Sequence, residues 1–234
     1  MSIVIPAVLP SSKKDFEEKL ALFAQFPSVR RIQIDIVDGR FATPASWPYT
    51  APTEFKTMVA ANKMLPQLDR IEYEIDLMCF DVESAAGVWL TLGAARLTFH
   101  AESARDVPRM FASARERYGD DGVVCFGLAL NITSDLAIIE QNIGYIQYVQ
   151  FMGIDRIGRQ GQPFDLNVFE KVRIFHSRHP GFPIQVDGGI TLESAKKLIA
   201  LGVTNLVIGS SILKASDPAA SLAAIEALSI QYGV

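Results

Sequence analysis

The 234-residue chain has only two cysteines, Cys79 and Cys125, and three histidines, His100, His176 and His179. Two cysteines without metal-type spacing exclude a disulfide framework and a thiolate cluster, and leave buried reduced thiols as the expectation. Basic residues do not outnumber acidic ones, 22 against 26, and a net charge of -4 offers no broad basic surface for nucleic acid. Any phosphate must therefore be bound locally, by backbone and a few side chains. No apolar run is long enough to span a bilayer, and residues Met1 to Pro10 lack the basic residues that open a secretory leader. These absences lead to the expectation of a soluble, cytoplasmic protein with neither a nucleic-acid nor a membrane partner. Linkers, low-complexity runs and charge blocks are absent too, so residues 1–234 are read as one domain.

What is present is alternation. Short apolar runs of strand character recur eight times, at Ile3 to Leu9, Arg31 to Val37, Ile71 to Met78, Ala95 to His100, Val123 to Leu130, Tyr145 to Phe151, Phe182 to Asp187 and Thr204 to Ile208. Stretches of helical spacing separate them. Ser12, Asp81, Thr133 and Thr191 stand where helices over Lys13 to Phe26, Val82 to Leu92, Ser134 to Ile143 and Leu192 to Leu201 should begin, and Asp217-Pro218 opens a last helix through Leu228. Gly93, Gly119, Gly144 and Gly202 mark helix ends. Eight strand-helix units without a break predict an α/β fold, a single (β/α)8 TIM barrel, with an open doubly wound sheet as the alternative.

In a barrel, function gathers at the carboxyl ends of the strands. Two strand ends carry glycines followed by small polar residues and a helix: Asp187-Gly188-Gly189 and Gly209-Ser210. Such turns let backbone N–H groups approach an anion, and the helix start adds partial positive charge. Two connections are unusually long. Asp38 to Pro52 carries Phe41, Trp47, Tyr49 and three prolines, as a semi-rigid aromatic flap would. Met152 to Phe164 carries three glycines with Arg156 and Arg159, as a lid closing on an anion would.

Strand parity places charge inside. Ile32, Ile34 and Ile36 share one face of the second strand, leaving Gln33 and Asp35 on the other; Glu72, Glu74 and Asp76 lie opposite Tyr73, Ile75 and Leu77; Gln185 and Asp187 lie opposite Ile184 and Val186. Carboxylates crowded in a dehydrated space raise one another's pKa or hold a cation. A hydrogen-bonded polar layer without chemistry is the other account.

These residues resemble the ribulose-phosphate 3-epimerase family along nearly the whole chain. The resemblance lies in Gln33-Ile34-Asp35-Ile36-Val37-Asp38-Gly39, Leu97-Thr98-Phe99-His100, Gly127-Leu128-Ala129-Leu130-Asn131, Val186-Asp187-Gly188-Gly189-Ile190 and Gly209-Ser210. It implies a phosphate-binding TIM barrel that inverts a carbon next to a ketone in a phosphorylated sugar. Asp35 and Asp187 fall on the family's acid/base pair, and the backbone of Gly188, Gly189, Gly209 and Ser210 on its phosphate cradle. The family's usual metal set holds two histidines, which Gln33 and Asp76 replace here. Ala7 stands at a usual serine, and the sixth loop, Asp155 to Gln162, departs from the family's pattern.

With imidazole gone, Gln33, Asp35, Asp76 and Asp187 form an all-oxygen set that would favour Mg2+ or Mn2+ over Zn2+. No organic cofactor is implied. His100, at a strand end, is expected to support the site by hydrogen bonding, and His176 and His179 to lie on the surface at the other side of the barrel. Related barrels that decarboxylate or form carbon-carbon bonds usually recruit a lysine at a strand end, and none falls there. A sugar-phosphate isomerase and a catalytically altered or silent sugar-phosphate binder therefore stand as the two readings. Exposed apolar helix faces could pair subunits into a homo-oligomer.

Overall fold

The computed structural model describes residues 4–118 and 123–232. Its strands β1 (Val4–Val8), β2 (Arg31–Val37), β3 (Glu72–Met78), β4 (Arg96–His100), β5 (Cys125–Leu130), β6 (Tyr148–Met152), β7 (Ile184–Asp187) and β8 (Asn205–Ile208) pair in sequence order and close through a β8–β1 ladder. Each pairing is parallel. This is the TIM barrel expected from the alternation. The surrounding helices are α1 (Lys13–Ala24), α2 (Pro52–Ala60), α3 (Val82–Thr91), α4 (Val107–Tyr118), α5 (Ala137–Asn142), α6 (Asn167–Arg178), α7 (Leu192–Ala200), α8 (Ser210–Leu213) and α9 (Pro218–Tyr232).

The main core lies between strands and helices. Ile32, Ile34, Ile36, Ile75, Leu77, Leu128, Val149 and Phe151 point outward from the strands and are sealed by the helices. On α1 the buried residues Phe16, Leu20 and Phe23 recur at helical spacing, which turns one stripe toward the barrel. The loop after β2 enters this core at Trp47, while its Phe41 lies against His100 at the mouth. Trp47 is fully buried, with its ring 4.8 Å from Phe16 and 5.3 Å from Phe55.

Local signals held where a side chain could reach the first turn. Ser12 accepts from Asp15 N, Thr191 forms a reciprocal capping box with Ser194, and Asp217 accepts from Ala220 N. Thr133 does not cap; α5 starts later, where Asp135 accepts from Ala137 N at 2.9 Å. Gly93 and Gly202 end α3 and α7 at φ of +101° and +90°, whereas Gly144 lies in a 3-10 turn and Gly119 is outside the described residues. Several strands are shorter than their apolar runs. Val123 is 72% exposed and joins no ladder, and Tyr145 closes the 3-10 turn before β6 with its ring stacked on Phe111 of α4.

Both thiols are free; Cys79 is buried and Cys125 half-buried, and burial pushes the Cys79 thiol up to about 12. His176 and His179 are half-buried rather than surface residues: the His176 ring packs against Gly202, and the His179 ring lies 4.8 Å from Phe175. Among the described residues no helix is long and apolar enough to cross a membrane.

Gly127 tests how tightly the interior is filled. A Cβ there would lie 2.2 Å from the Tyr148 ring, which is itself fully buried. Gly127→Ala is expected to destabilise the fold by about 2 kcal/mol or more through overpacking, measured as a lowered midpoint in urea with an unchanged slope.

Candidate active site

The barrel interior is polar on most of its circumference. Gln33 and Asp35 enter from β2, Glu74 and Asp76 from β3, Thr98 and His100 from β4, Gln150 from β6, and Gln185 and Asp187 from β7, all buried. The β1–β8 wall is apolar, with Ile5, Ala7 and Val207 packed together, and β5 adds Gly127 and Ala129. Glu72, grouped with the interior residues by parity, instead reaches the rim, 39% exposed, and accepts from Arg31 Nε at 2.6 Å.

Parallel register stacks these side chains in layers. Gln33 lies level with Glu74, Asp35 with Asp76, Gln150 with Gln185, and Met152 with Asp187. In the upper layer Gln33 Nε2 donates to Asp35 Oδ1 at 2.8 Å and to Asp187 Oδ2 at 3.0 Å. His100 Nε2 is 2.8 Å from Asp76 Oδ1, the supporting contact expected of it, and Gln150 Nε2 donates to Asp76 Oδ2 at 3.3 Å.

Asp35 and Asp187 are both held well above the usual carboxylate range. Burial is the largest cause for each; Asp76 raises Asp35 further, and Asp35 and then Asp76 raise Asp187, against the Gln33 hydrogen bond that lowers both. Both carboxyls are thus harder to ionise than a solvent-exposed aspartate. For His100, burial would lower the imidazole pKa, but the Asp76 charge and hydrogen bond outweigh it and the pKa is raised.

Above the pair opens a cleft lined by Ala7, Asp35, Asp187, Gly188, Gly189, Gly209 and Ser210, and by Met78, Met152, Arg159 and Gln160. The structure thus brings the two aspartates and the four cradle residues to one place. Gly188 and Gly189 have φ of +104° and +69°, and a Cβ on Gly189 would lie 2.8 Å from the Phe164 backbone, so glycine is needed on both counts. The sixth loop folds down over this end. Arg159 Nε donates to Thr43 O at 2.8 Å, joining it to the loop after β2, and Gln160 Nε2 reaches Ala7 O at 3.4 Å. Arg156 is not in the cleft; its side chain is 74% exposed beside Asp155.

A metal ion is what the resemblance implies here. The three aspartates offer oxygens all within 4.8 Å of one another, a buried cluster that could hold a cation. The surrounding groups are built differently. A ligand turns a lone pair to its ion, whereas Gln33 and Gln150 turn N–H to these carboxylates. Gln33 is therefore not set as a carbonyl ligand; its Oε1 faces Gln185 Nε2 at 3.2 Å. As arranged, the four-residue set does not fit a metal.

Gln150, Thr98, Met152 and Lys214 were missed from the sequence. The first three were within reach, because the parity used for strands two, three and seven applies equally to β4 and β6. Lys214 had no such signal; its Nζ stands 3.0 Å from where a Gly161 Cβ would lie, at the cleft rim.

A profile described as the ribulose-phosphate 3 epimerase family matches residues 3–213. Curated relatives include a ribulose-phosphate 3-epimerase of Aquifex aeolicus, 25% identical over 80% of this chain and 78% of that protein. Another is the ribulose-phosphate 3-epimerase of Mycobacterium leprae, 24% identical over 95% of this chain and 93% of that protein. Among solved structures, 3-hexulose-6-phosphate synthase from Salmonella typhimurium superposes with a TM-score of 0.69 at 16% identity, covering 99% of this chain and 100% of that one, which shows the shared fold.

The raised aspartates carry a stability consequence. A carboxyl whose folded pKa lies above its unfolded value stabilises the fold fully below the unfolded pKa, and that contribution is lost as pH rises through the folded pKa. For Asp35 and Asp187 the loss runs from about pH 4 upward. Asp187→Asn, which removes the charge, is expected to raise the melting temperature by a few degrees at pH 8 relative to the unsubstituted protein. Calorimetry should find the gain shrinking toward pH 4.

Proposed function

Since this chain belongs to the ribulose-phosphate 3 epimerase family, we propose that it is a sugar-phosphate epimerase using Asp35 and Asp187 as its two acid/base groups. The observation that carries the reading is the pair of buried aspartates itself. Two buried carboxyls, raised by burial and by each other, stand at the floor of a cleft whose rim is a glycine-rich anion cradle. One, ionised, takes the proton from the carbon next to the ketone. The other, protonated, returns a proton to the opposite face of the resulting ene-diolate, and the two exchange roles in the reverse direction.

The phosphate of the sugar sits on backbone N–H groups of Gly188, Gly189, Gly209 and Ser210, where α8 begins immediately after Gly209. Arg159 and Lys214 add positive charge at that rim. Arg156 joins them only if the sixth loop moves. Were a divalent ion to displace the amide hydrogens, the all-oxygen carboxylate set would select Mg2+ or Mn2+ over Zn2+.

Decarboxylation or carbon-carbon bond formation through a lysine is disfavoured, because among the described residues no lysine lines the cleft floor and Lys214 reaches only its rim, beside Gly161. Lys19, near the end of β1, is turned to Leu9 O and Asp15.

The test is incorporation of solvent deuterium at C3 of ribulose 5-phosphate, followed by NMR. Exchange is expected, with a loss of roughly 10²–10⁴-fold in Asp187→Asn. Protein that binds the sugar phosphate yet exchanges nothing would instead be a silent binder. Gly189→Ala should weaken ribulose 5-phosphate binding at least ~10-fold by calorimetric titration, since the added methyl strains the turn and displaces the Phe164 backbone.

A further inference from the structure

We propose that the catalytic carboxylates are held by amide N–H groups in place of a metal ion, and that Glu74 sets the direction of those amides through Gln185. A glutamine side chain can present either its nitrogen or its oxygen, so its neighbours must decide which. Glu74 makes that decision from the layer below. One oxygen of its carboxylate accepts from Arg96 Nε at 3.0 Å; the other accepts from Thr98 Oγ at 2.9 Å and from Gln185 Nε2 at 2.5 Å.

An atom 2.5 Å from a carboxylate paired with arginine has to be a donor. Turned over, Gln185 would bring a carbonyl oxygen against that carboxylate with no hydrogen between them. The same nitrogen lies 2.7 Å from Gln150 Oε1 and 3.2 Å from Gln33 Oε1. With one of its two hydrogens taken by Glu74, the other is shared between these carbonyls, closer to Gln150, and both glutamines turn their N–H groups to the aspartates. Gln33 then has one hydrogen for Asp35 and one for Asp187, at 2.8 and 3.0 Å. Gln185 Oε1 is left buried without a partner, the penalty for holding this direction.

A cation entering between the aspartates meets N–H dipoles of the wrong sign and finds no carbonyl to replace its water. The carboxylate centre is consequently metal-free at rest. This inference rests on the proposed function only in calling Asp35 and Asp187 catalytic; the polarity of the centre is independent of which reaction it performs.

The experiment is metal analysis of the purified protein, followed by titration with Mn2+ read by electron paramagnetic resonance, without substrate. The unsubstituted protein is expected to carry no stoichiometric divalent ion and to show no saturable Mn2+ binding up to about 1 mM. Gln33→Glu, which exchanges both donors for a fourth carboxylate, should bind Mn2+ at least ~100-fold more tightly. Gln185→Leu, which frees both amides to turn over, should gain at least ~10-fold.

A stoichiometric ion retained through purification, or micromolar Mn2+ binding by the unsubstituted protein, would overturn the proposal. So would Mn2+ binding unchanged in both variants when circular dichroism shows them folded. If one variant fails to fold, the other decides by the same criterion. A negative result in the deuterium-exchange assay leaves these readings intact, so the two failures are distinguishable.

Discussion

The ion pair between Arg96 and Glu74 lies inside the barrel, and two buried charges are tolerable only when their remaining hydrogens and lone pairs are used. Here they are used upward. Arg96 lies over the Tyr148 ring at 4.3 Å, and Thr98 bridges the Tyr148 hydroxyl to Glu74. From Glu74 the hydrogen bonds run through Gln185 to Gln33 and Gln150, and from those to the aspartates. Each bond has its direction set by the one below. On the proposed reading, a single carboxylate paired with one arginine sets the polarity at the floor of the cleft.

The layered register makes that control possible. Parallel strands bring residues of equal height side by side, so Gln33 and Glu74, or Gln150 and Gln185, meet without any loop having to position them. The upper layer is shaped by the same crowding. Asp35 and Asp187 resist ionisation because water is excluded and other carboxylates stand nearby, and Gln33 moderates that effect without abolishing it. The β1–β8 wall below the cleft is apolar, packed from Ile5, Ala7 and Val207.

The cradle and the loops belong to a different level of construction. Positive φ at Gly188 and Gly189 bends the chain after β7 so that backbone, not side chains, faces the cleft. The loop after β2 is anchored by Trp47 in the core and by Asp38, whose carboxylate accepts from the N–H groups of Arg40, Phe41 and Phe80. That anchoring places Phe41 with its ring centre 5.4 Å from the His100 ring, beside the polar layer. The sixth loop closes against this rigid edge through Arg159 and Thr43.

Much of this was legible in residue order. Period alone determined the eight strand-helix units, and parity determined that Gln33, Asp35, Glu74, Asp76, Gln185 and Asp187 face one another, because side-chain direction alternates without exception along an extended strand. Glycines at strand ends pointed to turns that line the cleft, and positive φ at Gly188 and Gly189 restricts what can stand there. Tertiary structure alone decided which way each amide points, because nitrogen and oxygen of glutamine are the same residue in a sequence and differ only by what they touch. It also decided that Trp47 is core, that Arg156 stays outside the cleft and that Lys214 comes near Gly161. Those are contacts between segments far apart in the chain, for which local periodicity carries no signal.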